Sequence, residues 1–182
     1  MTIFINLLTF SRIVLASVIF ILLMSPDSYF LALILFFLAG ITDYFDGYLA
    51  RKYKATSQIG EILDPIADKI LIVFVLFGLA INLNSYLIGF VGSLIITREI
   101  WVGALRDFNA RHNKSDATKV TFLAKVKTAV QLFTLSTYLL ALAINNMLLI
   151  QFAHIFLLIS LFITLYTGFI YTLGSFTNND SQ

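Results

Sequence analysis

The feature that most restricts the fold of this chain is a series of long apolar runs separated by short polar links. Of its 182 residues, 59% are hydrophobic and only 12% are charged, whereas a soluble domain carries about 25% charged residues. Several runs reach the roughly 20 residues that a helix needs to cross the hydrocarbon core of a bilayer. We therefore predict an all-α, polytopic membrane protein with a single domain over residues 1–182.

Six transmembrane helices are predicted, because turn-forming residues divide the apolar sequence into six parts. The predicted spans cover residues 5–24, 29–51, 86–108, 120–144 and 147–173, and a third span that starts between residues 60 and 65 and ends near 81. Residues 25–28, 82–85 and 145–146 are rich in Ser, Pro, Asp and Asn, which favour turns. We expect the first run to be a retained span and not a signal peptide, because no basic segment precedes it and Arg12 interrupts it.

Charge and cysteine content exclude several classes of function. The formal net charge is +2 and the basic residues form no cluster on a soluble face, so we predict no nucleic-acid partner. The chain contains no cysteine, which excludes disulfides, a thiol nucleophile and cysteine-bound metal.

The basic residues predict how the chain is oriented in the membrane. The turns at 25–28, 82–85 and 145–146 contain no Lys or Arg, whereas the links at 51–54 and 106–119 contain seven. Basic links face the cytoplasm in membrane proteins. We therefore expect these two links and both termini on the cytoplasmic side.

Four aspartates lie close together in sequence at the predicted cytoplasmic ends of spans two and three. They are Asp43, Asp46, Asp64 and Asp68. At about 100° per residue, the first two lie about 60° apart on one helix and the last two about 40° apart on the next. Two helices joined by a short link bring such stripes face to face. These positions make a shared site the leading interpretation.

Ionised carboxylates in this setting need compensating charge. Each costs about 2.5–3.5 kcal/mol at the centre of a membrane, less near the surface, and the four repel one another. Hard oxygen ligands suit Mg²⁺ or Mn²⁺, which also bind substrate phosphates. Gly47 and Ala50 keep the same helix face open, and Arg51 is suited to bind a phosphate. The stretch therefore predicts one or two divalent cations beside a nucleotide.

Other interpretations of the acids remain open at this point. The aspartates are also compatible with a helix-packing stripe whose acids reach the interface. Asp64 precedes Pro65 and is a candidate helix N-cap. Intramembrane acids also occur in proton or cation transporters, although transporters commonly show broken spans or internal repeats, and neither is evident here.

The residues from Asp43 to Asp68 resemble the signature of the CDP-alcohol phosphotransferases. They match D-x2-D-G-x2-A-R-x8-G-x3-D-x3-D at every fixed position. The resemblance implies six transmembrane helices, a homodimer and a cytoplasm-facing cavity with two metal ions. It implies that Asp43, Asp46, Asp64 and Asp68 bind metal and that Asp68 is the base. It further places Gly47, Ala50 and Arg51 against the CDP moiety.

Residues outside this signature bear on the acceptor alcohol. Arg98, Arg106, Lys125 and Lys127 lie within or near predicted spans four and five and favour an anionic acceptor, such as one that carries a phosphate. Alternatively, Arg98 and Glu99 form a buried structural pair and Arg106 is an interfacial charge. Lys127 lies about 200° round the helix from Lys125, so the two do not face one cavity squarely.

Several of these segments resemble the branch of the family that uses glycerol 3-phosphate. They are Ile96–Glu99, Ala104–Arg106, Lys125–Thr128, Leu63–Lys69, and Asn6, Thr9 and Arg12 near the N-terminus. The resemblance implies transfer of a phosphatidyl group from CDP-diacylglycerol to sn-glycerol 3-phosphate, with CMP released, in a bacterial cytoplasmic membrane. Asn6 and Thr9 then line the donor site, or they form a polar seam between helices. Inositol phosphate, serine or phosphatidylglycerol remain alternative acceptors.

Overall fold

A computed structural model describes residues 2–53, 58–112 and 122–177 of the chain. These residues form six α-helices: α1 (Thr2–Leu22), α2 (Tyr29–Tyr53), α3 (Gln58–Asn82), α4 (Tyr86–Arg111), α5 (Phe122–Ala143) and α6 (Met147–Thr177). The described ranges contain no β-strand. The predicted all-α architecture with six long helices is confirmed, and each observed boundary lies within four residues of the predicted position or interval.

Five of the six helices contain apolar segments of the kind found in membrane spans, and α3 is the exception among the described residues. The shortest, α1, has 21 residues and extends about 32 Å, against roughly 30 Å of hydrocarbon. Four segments of the described chain are long and apolar enough to cross a membrane: Pro26–Phe45, Tyr86–Arg111, Phe122–Ala143 and Met147–Phe176. Helix α1 contains a shorter apolar segment, Asn6–Leu22. Many large apolar side chains cover the outer surface, as lipid contact requires. The protein is an integral membrane protein.

The helices contact one another in a closed order around the bundle. Following the contacts gives α1, α2, α5, α6, α4, α3 and then α1 again, and α3 also touches α5 across the middle. All six helices contribute apolar side chains to the core. Among the most deeply buried are Ile19, Val75, Ile95, Leu139 and Leu157. This order places α1–α3 on one side of the bundle and α4–α6 on the other.

The turns that were predicted between helices are confirmed and have clear local causes. Pro26–Ser28 forms a short 3₁₀ turn before α2. Asn84 and Asn145 follow the ends of α3 and α5 with φ of 45° and 51°, the left-handed conformation that ends helices and that Asn tolerates. Ser85 then caps α4 through Ile88 N, and the Asn146 side chain accepts hydrogen bonds from the first turn of α6.

Helix α3 starts earlier than Asp64, which decides one of the alternatives left open by the sequence. The helix begins at Gln58 and contains Pro65 in its interior, so Asp64 lies inside it. The interpretation of Asp64 as an N-cap is therefore wrong. Gly78 allows α3 to lie close to the end of α1: a Cβ at this position would be 2.7 Å from Cδ1 of Leu23, the residue that follows α1.

Candidate active site

A buried arginine on α1 gathers the aspartates of α2 and α3. Arg12 Nη1 lies 2.5 Å from Oδ1 of Asp43 and 2.5 Å from Oδ1 of Asp68. Its Nη2 lies 3.7 Å from Oδ1 of Asp64. The Arg12 side chain is fully buried, while each of the three carboxylates stays about half exposed. We call Asp43, Asp64, Asp68 and Arg12 the acid site.

Thr9 adds a neutral contact to the acid site. It lies three residues before Arg12, on the same face of α1, and its hydroxyl donates a 2.7 Å hydrogen bond to Asp64 Oδ1. Asn6, a further three residues back, lies on α1 and is half-buried. Thr9 and Arg12 of α1 thus face the aspartates of α3. For Thr9, both interpretations from the sequence, a seam and a site lining, agree with this position.

The expected meeting of the two acid stripes is observed for three of the four aspartates. Asp46, Ala50 and Arg51 lie on α2, but their side chains are outside the described part of the structure. Gly47, on the same helix, is half-buried. Their assigned binding roles stay predictions. The contacts of Arg12 with α2 and α3 were not predicted from the sequence. A charged residue within an apolar helix usually has a charged or polar partner in the bundle, so Arg12 itself was a signal.

The acid site has the donor chemistry that suits a divalent cation. Three carboxylates minus one guanidinium leave a formal charge of −2 when all four groups are ionised. Carboxylate oxygens are the ligands that Mg²⁺ and Mn²⁺ prefer, and three of them lie within 3.7 Å of a single cationic side chain. Among the described residues no group of three acidic or His side chains is already arranged as a metal cage; in this structure the guanidinium lies between the carboxylates.

A second polar cluster lies between α4, α5 and α6. Glu99 Oε1 accepts a 2.9 Å hydrogen bond from Arg98 Nη1 and a second one from Lys127 Nζ. Arg98 Nη2 donates a 2.7 Å hydrogen bond to Thr167 Oγ1 on α6. Arg98 and Lys127 are more than nine-tenths buried, so the single carboxylate compensates two cations that water barely reaches. We call Arg98, Glu99, Lys127 and Arg106 the cation cluster.

Tyr171 of α6 connects Arg106 to this cluster. The guanidinium carbons of Arg98 and Arg106 lie 5.8 Å and 5.7 Å from the centroid of the same ring, close enough for cation–π attraction. Tyr171 is buried, whereas Arg106 is exposed. The cluster therefore extends from the bundle interior to its surface.

The two lysines of α5 occupy different environments. Lys127 points into the bundle and pairs with Glu99, while Lys125 is exposed. This agrees with the expectation that the two do not face one cavity squarely. Both lysines were counted among the cations that favour an anionic acceptor, and Lys125 was the one assigned to the acceptor phosphate. The signal that could have found Lys127 is Glu99, a carboxylate within an apolar span that is available to pair with a cation of a neighbouring helix.

Lys69 of α3 extends to α4, close to the position of Glu99 on that helix. It directly follows Asp68 on α3, and its Nζ lies 3.5 Å from the position that a Cβ on Gly103 of α4 would take. Gly103 is one turn after Glu99. The residue after Asp68 thus lies beside α4, one turn from Glu99 of the cation cluster.

These features define an α-helical membrane protein with an acidic site on α1–α3 and a basic cluster on α4 and α5. The sequence model of the CDP-alcohol phosphatidyltransferase family matches residues 3–166. The chain therefore belongs to that family.

Curated relatives carry a more specific name. A protein of Rickettsia bellii is 40% identical over 169 residues, which cover 91% of each chain. A protein of Sodalis glossinidius is 40% identical over 106 residues, or 58% of each chain, so the chain matches only part of some relatives and nearly all of others. Both are named CDP-diacylglycerol--glycerol-3-phosphate 3-phosphatidyltransferase, as is a Rickettsia felis protein with 40% identity and 91% coverage.

Proposed function

We propose that this chain is a phosphatidylglycerophosphate synthase. It transfers the phosphatidyl group of CDP-diacylglycerol to sn-glycerol 3-phosphate and releases CMP. The observation that carries the proposal is the pairing of two sites in one bundle: three carboxylates around Arg12, and a buried basic cluster around Glu99. The names of the relatives agree with this donor and acceptor.

In the proposed reaction the acid site holds the donor and its cations. In this proposal Asp43, Asp46, Asp64 and Asp68 would hold Mg²⁺ or Mn²⁺, as two ions, and the metal would supply charge neutralisation at the reacting phosphate. The oxygen of the acceptor hydroxyl bonds to the phosphorus that bears the lipid, and Asp68 takes the proton of that hydroxyl. The bond from that phosphorus to CMP breaks on the opposite side.

The neighbouring residues of α1 and α2 orient the donor. Gly47, Ala50 and Arg51 lie against the CDP moiety in this proposal, with Asn6 and Thr9 beside it. The observed hydrogen bond from Thr9 to Asp64 supports a role in fixing that carboxylate. Positioning and charge neutralisation then supply most of the catalysis, because the reaction needs little else from the protein.

The cation cluster binds the acceptor phosphate through Arg98 and Arg106, with Lys125 at its exposed edge. Two arginines and Lys127 carry three positive charges against the one negative charge of Glu99, which leaves +2 when all are ionised. This excess matches a phosphate monoester, which carries between one and two negative charges near neutral pH. Serine offers no such group, so the cluster favours a phosphorylated alcohol.

We further propose a homodimer in the bacterial cytoplasmic membrane, with the active site and both termini facing the cytoplasm. The acyl chains of the donor lie between helices, while its charged groups and the acceptor stay at the cytoplasmic end. The exposed apolar side chains of the helices support a lipid environment for the protein and for the acyl chains of the donor.

The decisive experiment is a competition among acceptor alcohols. Purified protein in detergent receives CDP-diacylglycerol, Mg²⁺ and equal amounts of glycerol 3-phosphate, inositol phosphate, serine and phosphatidylglycerol, and the lipid products are separated. We expect phosphatidylglycerophosphate as the main product and one CMP for each molecule formed. Preference for another alcohol would replace the acceptor in the proposal. Ion transport in liposomes without CMP release would replace the enzyme with a transporter.

A further inference from the structure

We propose that three residues of α6, Thr167, Gly168 and Tyr171, form a platform that positions the two arginines of the cation cluster for the acceptor phosphate. This inference rests on the proposed function. Helix α6 contains no Asp, Glu, Lys or Arg, so it offers no charge of its own to either site. Its contribution is to fix the charges that α4 supplies.

Thr167 fixes the end of the Arg98 side chain. Its hydroxyl accepts from Nη2, while Glu99 accepts from Nη1, so two partners on two helices hold the planar group in one orientation. The same hydroxyl donates to the backbone carbonyl oxygen of Ile163 or Thr164 within α6. Its oxygen is therefore directed at the guanidinium by its own helix.

Gly168 makes room for the stem of the same arginine. A Cβ at this position would lie 2.9 Å from Arg98 Cγ and 3.1 Å from its Nε. The stem has little freedom to move away, because its α4 backbone and its two hydrogen-bond partners hold both ends. A side chain on residue 168 would therefore turn the guanidinium out of its observed orientation.

Tyr171 sets the spacing between the two arginines. Its buried ring lies at nearly equal distances from both guanidinium groups, and it follows Thr167 by one helical turn. Arg98 and Arg106 are eight residues apart on α4, about 12 Å along the helix axis. The ring gives both groups a shared neighbour on α6, and in this proposal it keeps both directed towards the acceptor phosphate.

The test compares Thr167→Val with Thr167→Ser, using glycerol 3-phosphate as the varied substrate. Valine keeps the shape and removes the hydroxyl, whereas serine keeps the hydroxyl. We expect Thr167→Val to raise the KM for glycerol 3-phosphate about tenfold, the effect of losing one hydrogen bond to a charged group. The KM for CDP-diacylglycerol should stay within twofold, and Thr167→Ser should restore wild-type values.

Thr172→Val is the matched control. Thr172 lies on the same helix and accepts a 2.9 Å hydrogen bond from Trp101 Nε1 on α4, so its replacement also removes one hydrogen bond between the same two helices. A purely structural role for Thr167 predicts equal effects of the two valine variants on both KM values. We expect the control to leave both unchanged.

A double-mutant cycle tests whether Thr167 acts through Arg98. In an Arg98→Lys background the guanidinium is gone, and Thr167→Val should no longer change the KM for glycerol 3-phosphate. An equal effect in both backgrounds, or no effect in the wild type, overturns the platform. If Thr167→Val does not yield folded protein, the test uses Tyr171→Leu and Tyr171→Phe, because only leucine removes the aromatic ring. A wild-type KM for the acceptor in Tyr171→Leu overturns the proposal.

These outcomes separate the platform from the proposed function. A wild-type enzyme that prefers inositol phosphate would correct the acceptor, and the same variants would then be measured with that phosphate. A wild-type enzyme that uses glycerol 3-phosphate, together with an unaltered KM in Thr167→Val, would keep the function and remove the platform.

Discussion

Arg12 of α1 and Asp68 of α3 are 56 residues apart in sequence, yet Arg12 Nη1 lies 2.5 Å from Asp68 Oδ1. The same nitrogen lies equally close to Asp43 of α2. One cation therefore connects three helices at the place where the like charges of the aspartates would otherwise repel one another. The first helix of the bundle is part of the site and not only a membrane anchor.

We expect Arg12→Gln to destabilise the protein when divalent metal is absent. Without the guanidinium, three carboxylates lose their compensating charge, at a cost of roughly 1–2 kcal/mol, less than for a fully buried pair because the acids remain half exposed. Thermal unfolding in detergent with EDTA measures the effect, and Mg²⁺ should recover most of the loss. The control is Arg111→Gln, which removes an exposed pair with Asp107 and should change little. Equal unfolding temperatures for both variants would contradict the bridging role.

The helices could be predicted from sequence far better than the partners of the buried charges. Apolar run length and turn residues are local signals, so all six helices were found. The convergence of Asp43, Asp64 and Asp68 also followed from spacing along two adjacent helices joined by a short link. The partners of Arg12 and Lys127 depend on which helices meet in the bundle, and local patterns of residues along the chain do not reveal those contacts.

Helix α6 also contains contacts that could not be predicted from the sequence pattern. Nothing in its apolar sequence distinguishes Thr167 or Tyr171 from other residues of a transmembrane helix. Their significance arises only because α6 packs against α4 and meets Arg98 there. A charge pattern read along the chain finds groups that carry charge, but not the neutral groups that orient them.

We expect Asp68→Asn to reduce phosphatidyl transfer by about 10²–10⁴-fold, the usual contribution of a positioned base, and further if metal binding is also weakened. Asparagine keeps the size of the side chain but cannot take the proton. CMP release at saturating concentrations of both substrates measures the loss. Asp27→Asn, in the exposed turn before α2, is the control and should retain full activity. Activity near the wild-type level in Asp68→Asn would remove the base role.

Divalent metal should be required for activity. After chelation with EDTA we expect CMP release to stop, and addition of Mg²⁺ or Mn²⁺ should restore it because the reacting phosphates need their charge neutralised. Asp43→Asn removes one carboxylate from the acid site and should shift the Mg²⁺ concentration for half-maximal activity upwards. Full activity in EDTA, or an unchanged Mg²⁺ requirement in Asp43→Asn, would contradict the assignment.

The two lysines of α5 should respond differently to replacement by methionine. Lys125 is exposed, so Lys125→Met should leave thermal stability unchanged and raise the KM for glycerol 3-phosphate if its ammonium contacts the phosphate. Lys127 is buried against Glu99, so Lys127→Met leaves that carboxylate with Arg98 alone and should lower stability. Enzyme kinetics and unfolding of both variants in the same detergent separate the roles. An unaltered KM in Lys125→Met would remove Lys125 from the acceptor site and leave that role to Arg98 and Arg106.

The orientation of the bundle can be measured directly because the chain contains no cysteine. Asp27→Cys and His112→Cys introduce single thiols at exposed positions at opposite ends of the bundle: the first lies before α2 and the second directly after α4. The basic links predict that position 112 faces the cytoplasm. In intact bacterial cells made permeable only at the outer membrane, a charged maleimide that does not cross the inner membrane should label Asp27→Cys and not His112→Cys. Membrane disruption should make both reactive, which controls for thiol accessibility. The reverse labelling pattern would place the acid site and the cation cluster on the outer side, where CDP-diacylglycerol and glycerol 3-phosphate made inside the cell would not reach them.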